Sequence, residues 1–362
     1  MRPTWVEIDL NAIRYNINTT RNIVGKSVSV MAIVKADAYG HGAVEVSKVL
    51  SESGVEMFGV ASIEEAIELR ENEIDKPIVL LGGIQPGEEE SVLRNDLIPS
   101  VYLFSTLDEL NKTAKKIGKP CKYHIKFDTG MSRLGFSRSD VDKVLKKITR
   151  LNKLELEGVF THFACADQND STYTDYQLKE FQGILNKFET SGRHPDYIHM
   201  ANSAAIQRFP HSYGNLVRPG IMIYGACSVK GVTVQAAMKM KSRIIQIREL
   251  PAGTSVSYGC RFKTKKESRI AVIPVGYADG YMRNLTNKAY VSVKGHMAPV
   301  VGTVCMDFSM IDITELNDIN IGDEVTLFGD ENISIEDVAE WGNTIPYEIM
   351  TIVGKRVRKV FI

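Results

Sequence analysis

Eight short apolar runs, each followed by a stretch of helical period, fill the first two-thirds of this 362-residue chain and leave few folds open to it. The runs cover residues 28–34, 57–60, 78–81, 100–103, 123–127, 158–161, 197–200 and 221–224. They are short and rich in β-branched or aromatic residues, as strands buried on both faces are. The stretches between them read as helices. In 62–72, Ser62 stands at the cap position and Glu65, three residues on, is its capping-box partner. Residues 140–149 and 173–189 have the same helical texture. Eight strand-then-helix units in roughly 220 residues match the size and rhythm of a (β/α)8 barrel. A doubly wound sheet is the competing arrangement, but no G-x-G-x-x-G turn follows the first run.

Near Gly231 the texture changes. Residues 232–234, 242–250, 269–274, 289–293, 299–304, 309–313 and 324–327 are short alternating runs. Turn signals such as Pro251-Ala252-Gly253, Lys294-Gly295-His296 and Gly329-Asp330 separate them, and one helix is expected near 335–341. The expected architecture is therefore α/β: a TIM-type (β/α)8 barrel over residues 1–230, then a mostly β C-terminal domain over 231–362. The first few residues are expected to pack with the second unit.

Composition narrows the function. Lys+Arg and Asp+Glu both number 44, and the resulting zero net charge speaks against a nucleic-acid or anionic-membrane partner. The basic stretches 263–266 and 355–359 read as solvated surface. The cysteines (Cys121, Cys165, Cys227, Cys260, Cys305) are odd in number, widely spaced and without a C-x-x-C pair. That argues against a disulfide framework or zinc ribbon, and no metal site is expected. The N-terminal stretch lacks the apolar core of a signal peptide and no run is long enough to span a bilayer, so a cytoplasmic location is expected.

In a barrel the C-terminal ends of the strands form the active face. Lys35 directly follows the first run, a place where a desolvated lysine becomes a Schiff-base nucleophile. A lysine whose stem simply carries its charge to solvent is the plainer alternative. Gly40 and Gly42 let backbone approach a ligand, or merely form the turn. The fifth run leads into Lys126, Asp128, Gly130, Arg133 and Gly135; the sixth is followed by His162, and the seventh by Asn202 and Ser203. Arg218, Gly220 and Ile221 fall at the eighth. Barrels commonly seat a phosphate after strands seven and eight, and Ser203 and Gly220 are small enough to expose N–H donors there. Each feature taken singly has an ordinary reading as a cap, a turn or a packed histidine. Together they place polar residues after at least five strands on one face, which a purely structural barrel does not require.

The run Val34-Lys35-Ala36-Asp37-Ala38-Tyr39-Gly40-His41-Gly42 resembles the pyridoxal-phosphate attachment motif of the alanine racemases, position for position. The similarity continues in order through "KFDTGMSRLGF", "GVFTHFACAD", "HMANSAAI", "VRPGIMIYG", "SYG", "VGYADGY", "VCMD" and "PYE", and so covers essentially the whole chain. The resemblance implies a head-to-tail homodimer that interconverts L- and D-alanine on pyridoxal 5'-phosphate, each site completed by the partner's β domain. By the same resemblance Lys35 holds the cofactor and exchanges the α-proton on the D face. Tyr258 matches the tyrosine that the other subunit supplies for the L face. A single base would return the proton to the face it left, so racemisation requires two. His162 and Arg218 are the candidates for the relay that makes the tyrosine a base.

Arg218 also matches the arginine facing the pyridine nitrogen. Tyr39, Ser203, Gly220, Ile221 and Tyr347 match the phosphate-binding set, with Asn202 beside it. Arg133 matches the arginine at the cofactor's phenolic oxygen and the substrate carboxylate. Met306 matches the backbone donor to that carboxylate, with Asp307 next to it. Lys126 matches a lysine often carbamylated, a change that turns a cation into an anion able to hold Arg133.

Two departures from the family pattern stand out. Thr303 occupies a position commonly held by arginine, whose usual partner is the acid matching Asp167 at the entrance, so a looser corridor is expected. Pro346 precedes Tyr347 where asparagine is frequent, and proline removes an N–H. Three alternatives share the barrel. Serine racemases of the glycopeptide-resistance type tend to carry asparagine in place of Tyr347 and an N-terminal membrane domain. Non-catalytic barrels that buffer the cofactor lack a β domain and a Tyr258 equivalent. Decarboxylases of this fold are longer and use a glycine-rich phosphate loop.

Overall fold

The computed structural model describes residues 2–226 and 231–362, so Cys227 and the expected domain boundary at residue 230 lie outside the described residues. Eight parallel strands form the first unit, in the order Leu216–Val217, Ser29–Ile33, Met57–Val60, Ile78–Leu80, Leu97–Val101, Cys121–Lys126, Leu154–Phe160 and Tyr197–His199. Strands Met57–Val60, Ile78–Leu80 and Leu97–Val101 are buried at every position, which is why they read as continuous apolar runs and not as alternating ones. The two end strands meet through a parallel bridge between Asn202 and Arg218, with Arg218 N donating to Ala201 O at 2.9 Å. A (β/α)8 barrel is thereby closed, as expected.

The eighth expected strand is misplaced. Residues Ile221–Tyr224 form a 3-10 turn, and the strand that closes the barrel is the two-residue Leu216–Val217. The apolarity of Ile221–Tyr224 has another cause. The segment packs under the helix Leu10–Val24, where Asn16 Nδ2 donates to Ile223 O at 2.9 Å, and Tyr224 Oη donates to Ile33 O at 2.7 Å. The strand expected at 100–103 runs from Leu97 to Val101, and Leu103 becomes the N-cap of the helix Phe104–Ile117.

The second unit is a six-stranded sheet in the order His296–Pro299, Tyr290–Val293, Glu324–Phe328, Met238–Arg243, Thr4–Ile8 and Arg358–Phe361, with a three-stranded sheet of Gln246–Leu250, Ser268–Ile273 and Ser309–Asp312. Thr4–Ile8 pairs antiparallel with Met238–Arg243 and parallel with Arg358–Phe361. Residues 232–234 form no strand, 242–250 splits between two sheets, and the run 299–304 reduces to Pro299 and an isolated bridge at Val300. Beyond the expected helix, found at Ile335–Gly342, lies a second helix, Pro346–Thr351. Pro346 sits in its first turn, where an N–H has no intrahelical acceptor, so the missing donor needs no compensation.

This last helix presses on the barrel. Gly40 has φ +81°, and a Cβ there would lie 2.3 Å from Met350 O, so only glycine allows the two backbones to touch. Gly40→Ala is therefore expected to cost about 2 kcal/mol or more, read as a drop of several degrees in the thermal midpoint. An unchanged midpoint would contradict that packing.

Candidate active site at the mouth of the barrel

Lys35 stands one residue, Val34, beyond the end of the buried strand Ser29–Ile33 and opens an unusual turn. Ala36, Asp37, Ala38 and Tyr39 have φ of 52°, 54°, 52° and 54°, a single turn of left-handed helix. L-residues disfavour this conformation by about 1–2 kcal/mol each. Fixed partners hold it in place. Glu65 Oε1 accepts Ala36 N at 2.7 Å, Asp37 Oδ1 accepts Ala43 N at 2.7 Å, and Gly42 N donates to Asp37 O at 2.9 Å. Lys359 of the second unit pairs with Asp37. The capping box expected at Ser62 and Glu65 is not formed as read: Ser62 makes no cap bond, and Glu65 Oε2 accepts Ala61 N at 2.7 Å. Glu65 thus joins the first two strand-to-helix loops.

The turn aims Tyr39 inward. Its ring stacks on Tyr224 at 4.8 Å and lies 5.8 Å from Tyr347, whose helix brings it to the mouth. A Cβ at Gly220 would fall 2.8 Å from Tyr39 Oη, so this glycine is what lets the phenol approach. Ser203 Oγ accepts Gly220 N at 2.8 Å and keeps its own proton to donate. Asn202 Oδ1 accepts Ala205 N at 3.0 Å and is thereby committed to capping the short helix Ser203–Arg208. Ile221 is buried beside Gly220.

Four cations converge here. Arg218 and Lys126 are buried and Lys35 half-buried, while Arg133 lies on the rim. Burial lowers the Lys35 pKa, and the charge of Arg133 lowers it further against a weaker pull from Glu65. Burial, then Arg133 and Arg218, push Lys126 down to about 8. Desolvation brings Arg218 to about 9, still protonated at neutral pH. The opposing carboxylates are already engaged with backbone: Glu65 as above, and Asp128 through Gly130 N at 2.8 Å and Ser132 N at 3.1 Å. These carboxylates keep their charge but are outnumbered by the four cations, so the mouth carries a net positive charge, and this donor set fits an anionic group such as a phosphorylated cofactor. Arg218 Nη2 donates to Thr161 O at 2.7 Å, to Met200 O at 3.1 Å and to His162 Nδ1 at 3.3 Å. Burial and the surrounding cations hold the His162 pKa well below its usual value.

Tyr258, Met306 and Asp307 lie elsewhere, on the second unit. Tyr258 is 73% exposed, and its carbonyl accepts Thr303 Oγ1 at 2.7 Å. Ser257 Oγ donates back to Thr303 O at 2.6 Å. Thr303 is thus buried and braces the tyrosine loop, and it makes no contact with Asp167, which acts on Tyr347 electrostatically. Met306 O accepts Ala278 N at 3.1 Å, and Asp307 Oδ1 accepts Arg356 Nη2 at 2.8 Å. No group of three or more His, Cys, Asp or Glu side chains able to hold a metal occurs among the described residues.

Sequence reasoning missed His124, His199 and Glu157, which lie beneath Arg218 inside the barrel. The two-residue strand period was an available signal, since it puts His124 on the same face as Lys126. Burial keeps both histidines neutral by lowering their pKa. Below about pH 6.5 the unfolded chain then binds protons that the folded chain refuses, so stability rises with pH across that window and falls as pH drops. The expected loss is up to about 1.4 kcal/mol per pH unit per histidine. Thermal midpoints between about pH 7.5 and 5.5 check it, above most carboxylate titration; a flat profile would contradict neutral burial.

Residues 8–228 match the family described as alanine racemase, N-terminal domain, and residues 237–361 match alanine racemase, C-terminal domain. A relative named alanine racemase from Methanococcus maripaludis is 44% identical over 99% of both chains. Among solved structures, alanine racemase from Clostridium difficile superposes with TM-score 0.95 at 37% identity, covering 100% of this chain and 96% of the other. The alanine racemase of Bartonella henselae, described with covalently bound pyridoxal phosphate, gives TM-score 0.93 at 33% identity over 100% of both chains.

Proposed function

The chain belongs to the alanine racemase family and is an isomerase, and on that premise we propose that it interconverts L- and D-alanine with pyridoxal 5'-phosphate bound at the barrel mouth. The observation that carries this reading is the half-buried Lys35 among cations that outnumber the carboxylates acting on them. The bound cofactor supplies an electron sink that acidifies the α-C–H bond of an amino acid joined to it. Lys35 Nζ is the attachment point, its lowered pKa favouring the nucleophilic free amine. Tyr39, Ser203, Gly220, Ile221 and Tyr347 would hold the phosphate, with Asn202 ordering the helix start beside it. Arg218 would face the ring nitrogen. Because an arginine keeps its proton, it would leave that nitrogen largely unprotonated and suppress side reactions.

Proton movement falls to two residues. Lys35 Nζ takes or returns the α-proton on the D face, and Tyr258 Oη does so on the L face. The hydrogen bonds of the Tyr258 loop lie within the second unit and its ring is exposed, which supports its delivery to the partner's barrel in a homodimer. Arg133, Met306 N and the neighbouring Asp307 would position the substrate carboxylate. A neutral Lys126 amine can add carbon dioxide through a new N–C bond and release one N–H proton to solvent, and the resulting carbamate anion would bind Arg133 and reduce the crowding of positive charge.

L-Alanine incubated with the holoenzyme in deuterated water is expected to yield D-alanine bearing an α-deuterium; amine and carbon dioxide, or no turnover, would sink the reading. Tyr258→Phe should slow L-face abstraction by roughly 10²–10⁴-fold. Mixing Lys35→Ala with Tyr258→Phe chains should restore up to about a quarter of wild-type activity, since half the sites of each hybrid dimer are intact. No complementation would exclude shared sites. With ¹³C-bicarbonate, a carbamate signal lost in Lys126→Ala is expected, strengthening as pH rises through about 8; its absence would refute the modification.

A further inference from the structure

A chain of polar side chains descends from Arg218 through the barrel interior. Arg218 Nη1 donates to His199 Nδ1 at 2.6 Å. His199 Nε2 lies 2.9 Å from His124 Nδ1, and His124 Nε2 lies 3.2 Å from Glu157 Oε2. Glu157 Oε1 accepts Lys122 Nζ at 2.8 Å near the lower rim, where Lys122 is half exposed. Both imidazoles are 0% exposed and Glu157 is 7%. The packing is made for them: a Cβ on Gly158 would strike the His124 ring at 2.7 Å, and His199 stacks on Phe160 at 4.6 Å with the planes 7° apart.

The proton positions in this chain follow from chemistry. An arginine can only donate, so His199 Nδ1 must accept and His199 carries its proton on Nε2. That proton needs an acceptor, so His124 accepts at Nδ1 and is protonated at Nε2. The last N–H then meets a carboxylate. A cationic imidazole at either place would set two N–H groups against each other. All the hydrogen bonds therefore point one way, from the guanidinium to Glu157.

We propose that Glu157, low in the barrel, is a positioning residue for Arg218 that acts through His124 and His199. A carboxylate accepting from an imidazole N–H makes the opposite ring nitrogen more basic, and the effect passes along a buried chain. His199 Nδ1 thereby becomes a strong acceptor that fixes the Nη1 edge of the guanidinium. The other acceptors of Arg218 are two carbonyls and His162, so Glu157 is the anion to which its charge is joined by hydrogen bonds. Of the other titratable groups near this chain, Lys126 acts on Arg218 at its upper end, Glu155 and Asp196 lie beside Lys122, and the neutral Tyr197 phenol lies beside Glu157. The effect on turnover rests on the proposed placement of Arg218 at the cofactor ring; the proton positions do not.

The test is ¹⁵N NMR of the histidine-labelled holoenzyme, with the absorption spectrum of the bound cofactor and steady-state kinetics in both directions. In the wild type both rings are expected neutral with the proton on Nε2; a doubly protonated ring, or Nδ1–H at either, overturns the proposal. Glu157→Leu removes acceptor and charge, while Glu157→Gln can keep an acceptor oxygen. The leucine variant is expected to lose about tenfold or more in kcat both ways with alanine KM changed by less than about twofold, the glutamine variant falling between. The His199 Nδ1 signal and the cofactor absorption should shift in the same order. If both signals stay at their wild-type positions while only thermal stability falls, Glu157 is merely structural and the proposal fails. Should the leucine variant not fold, the glutamine and wild-type spectra decide. Absent alanine turnover in the wild type would sink the proposed activity and leave the proton positions standing.

Discussion

The guanidinium of Arg218 is buried with no carboxylate in contact among the described residues, and the closing seam of the barrel is assembled around it. Its backbone bridges to Asn202, and its side chain binds carbonyls at the ends of the sixth and seventh strands. Such burial is costly unless every donor is met. Carbonyls and imidazole nitrogens meet the donors here without cancelling the charge. Lys126 and Lys35 stand nearby, so the mouth retains positive potential that an anionic ligand relieves. A ligand binding only the folded state also stabilises it by mass action, so binding of the proposed cofactor would be linked to the integrity of the mouth.

The left-handed turn after Lys35 is the second consequence of building a site here. Four residues in disfavoured backbone geometry persist only because their surroundings over-determine them. Those surroundings come from three places: Glu65 in the first turn of the next helix, Asp37 and His41 within the turn, and Lys359 from the second unit. Met350 closes on Gly40 from that unit as well. The second unit thus supports its own chain's lysine, while it displays Tyr258 and Met306 on an exposed surface. That division of labour is the physical ground for expecting a partner at that surface.

Much of the barrel could be read from the chain, because a parallel strand buried on both faces leaves an unbroken apolar run. All but the last of the eight expected runs overlap a strand. The last failed because Ile221–Tyr224 is apolar for burial under a helix, while a two-residue strand leaves no period to detect. Glu65 shows a subtler limit: its spacing from Ser62 suggested a local cap, yet its carboxylate serves the backbone of residues 36 and 61. The distant partner, Ala36, is invisible to any local rule. Thr303, read as standing where a gate arginine is common, also braces the tyrosine loop, a role that its spacing alone does not suggest.

By itself the sequence determined the order of strand-and-helix units, the change of period near Gly231, the strand-end polar residues and, through its motifs, the family resemblance. These are properties of neighbouring residues, set by side-chain spacing along the chain. Only the tertiary structure decided which cations share the mouth, that Tyr258 and Lys35 lie on different units, and that His199 and His124 link Arg218 to Glu157. Those relations depend on strand register and on desolvation, which arise when distant segments meet, so no window of sequence contains them.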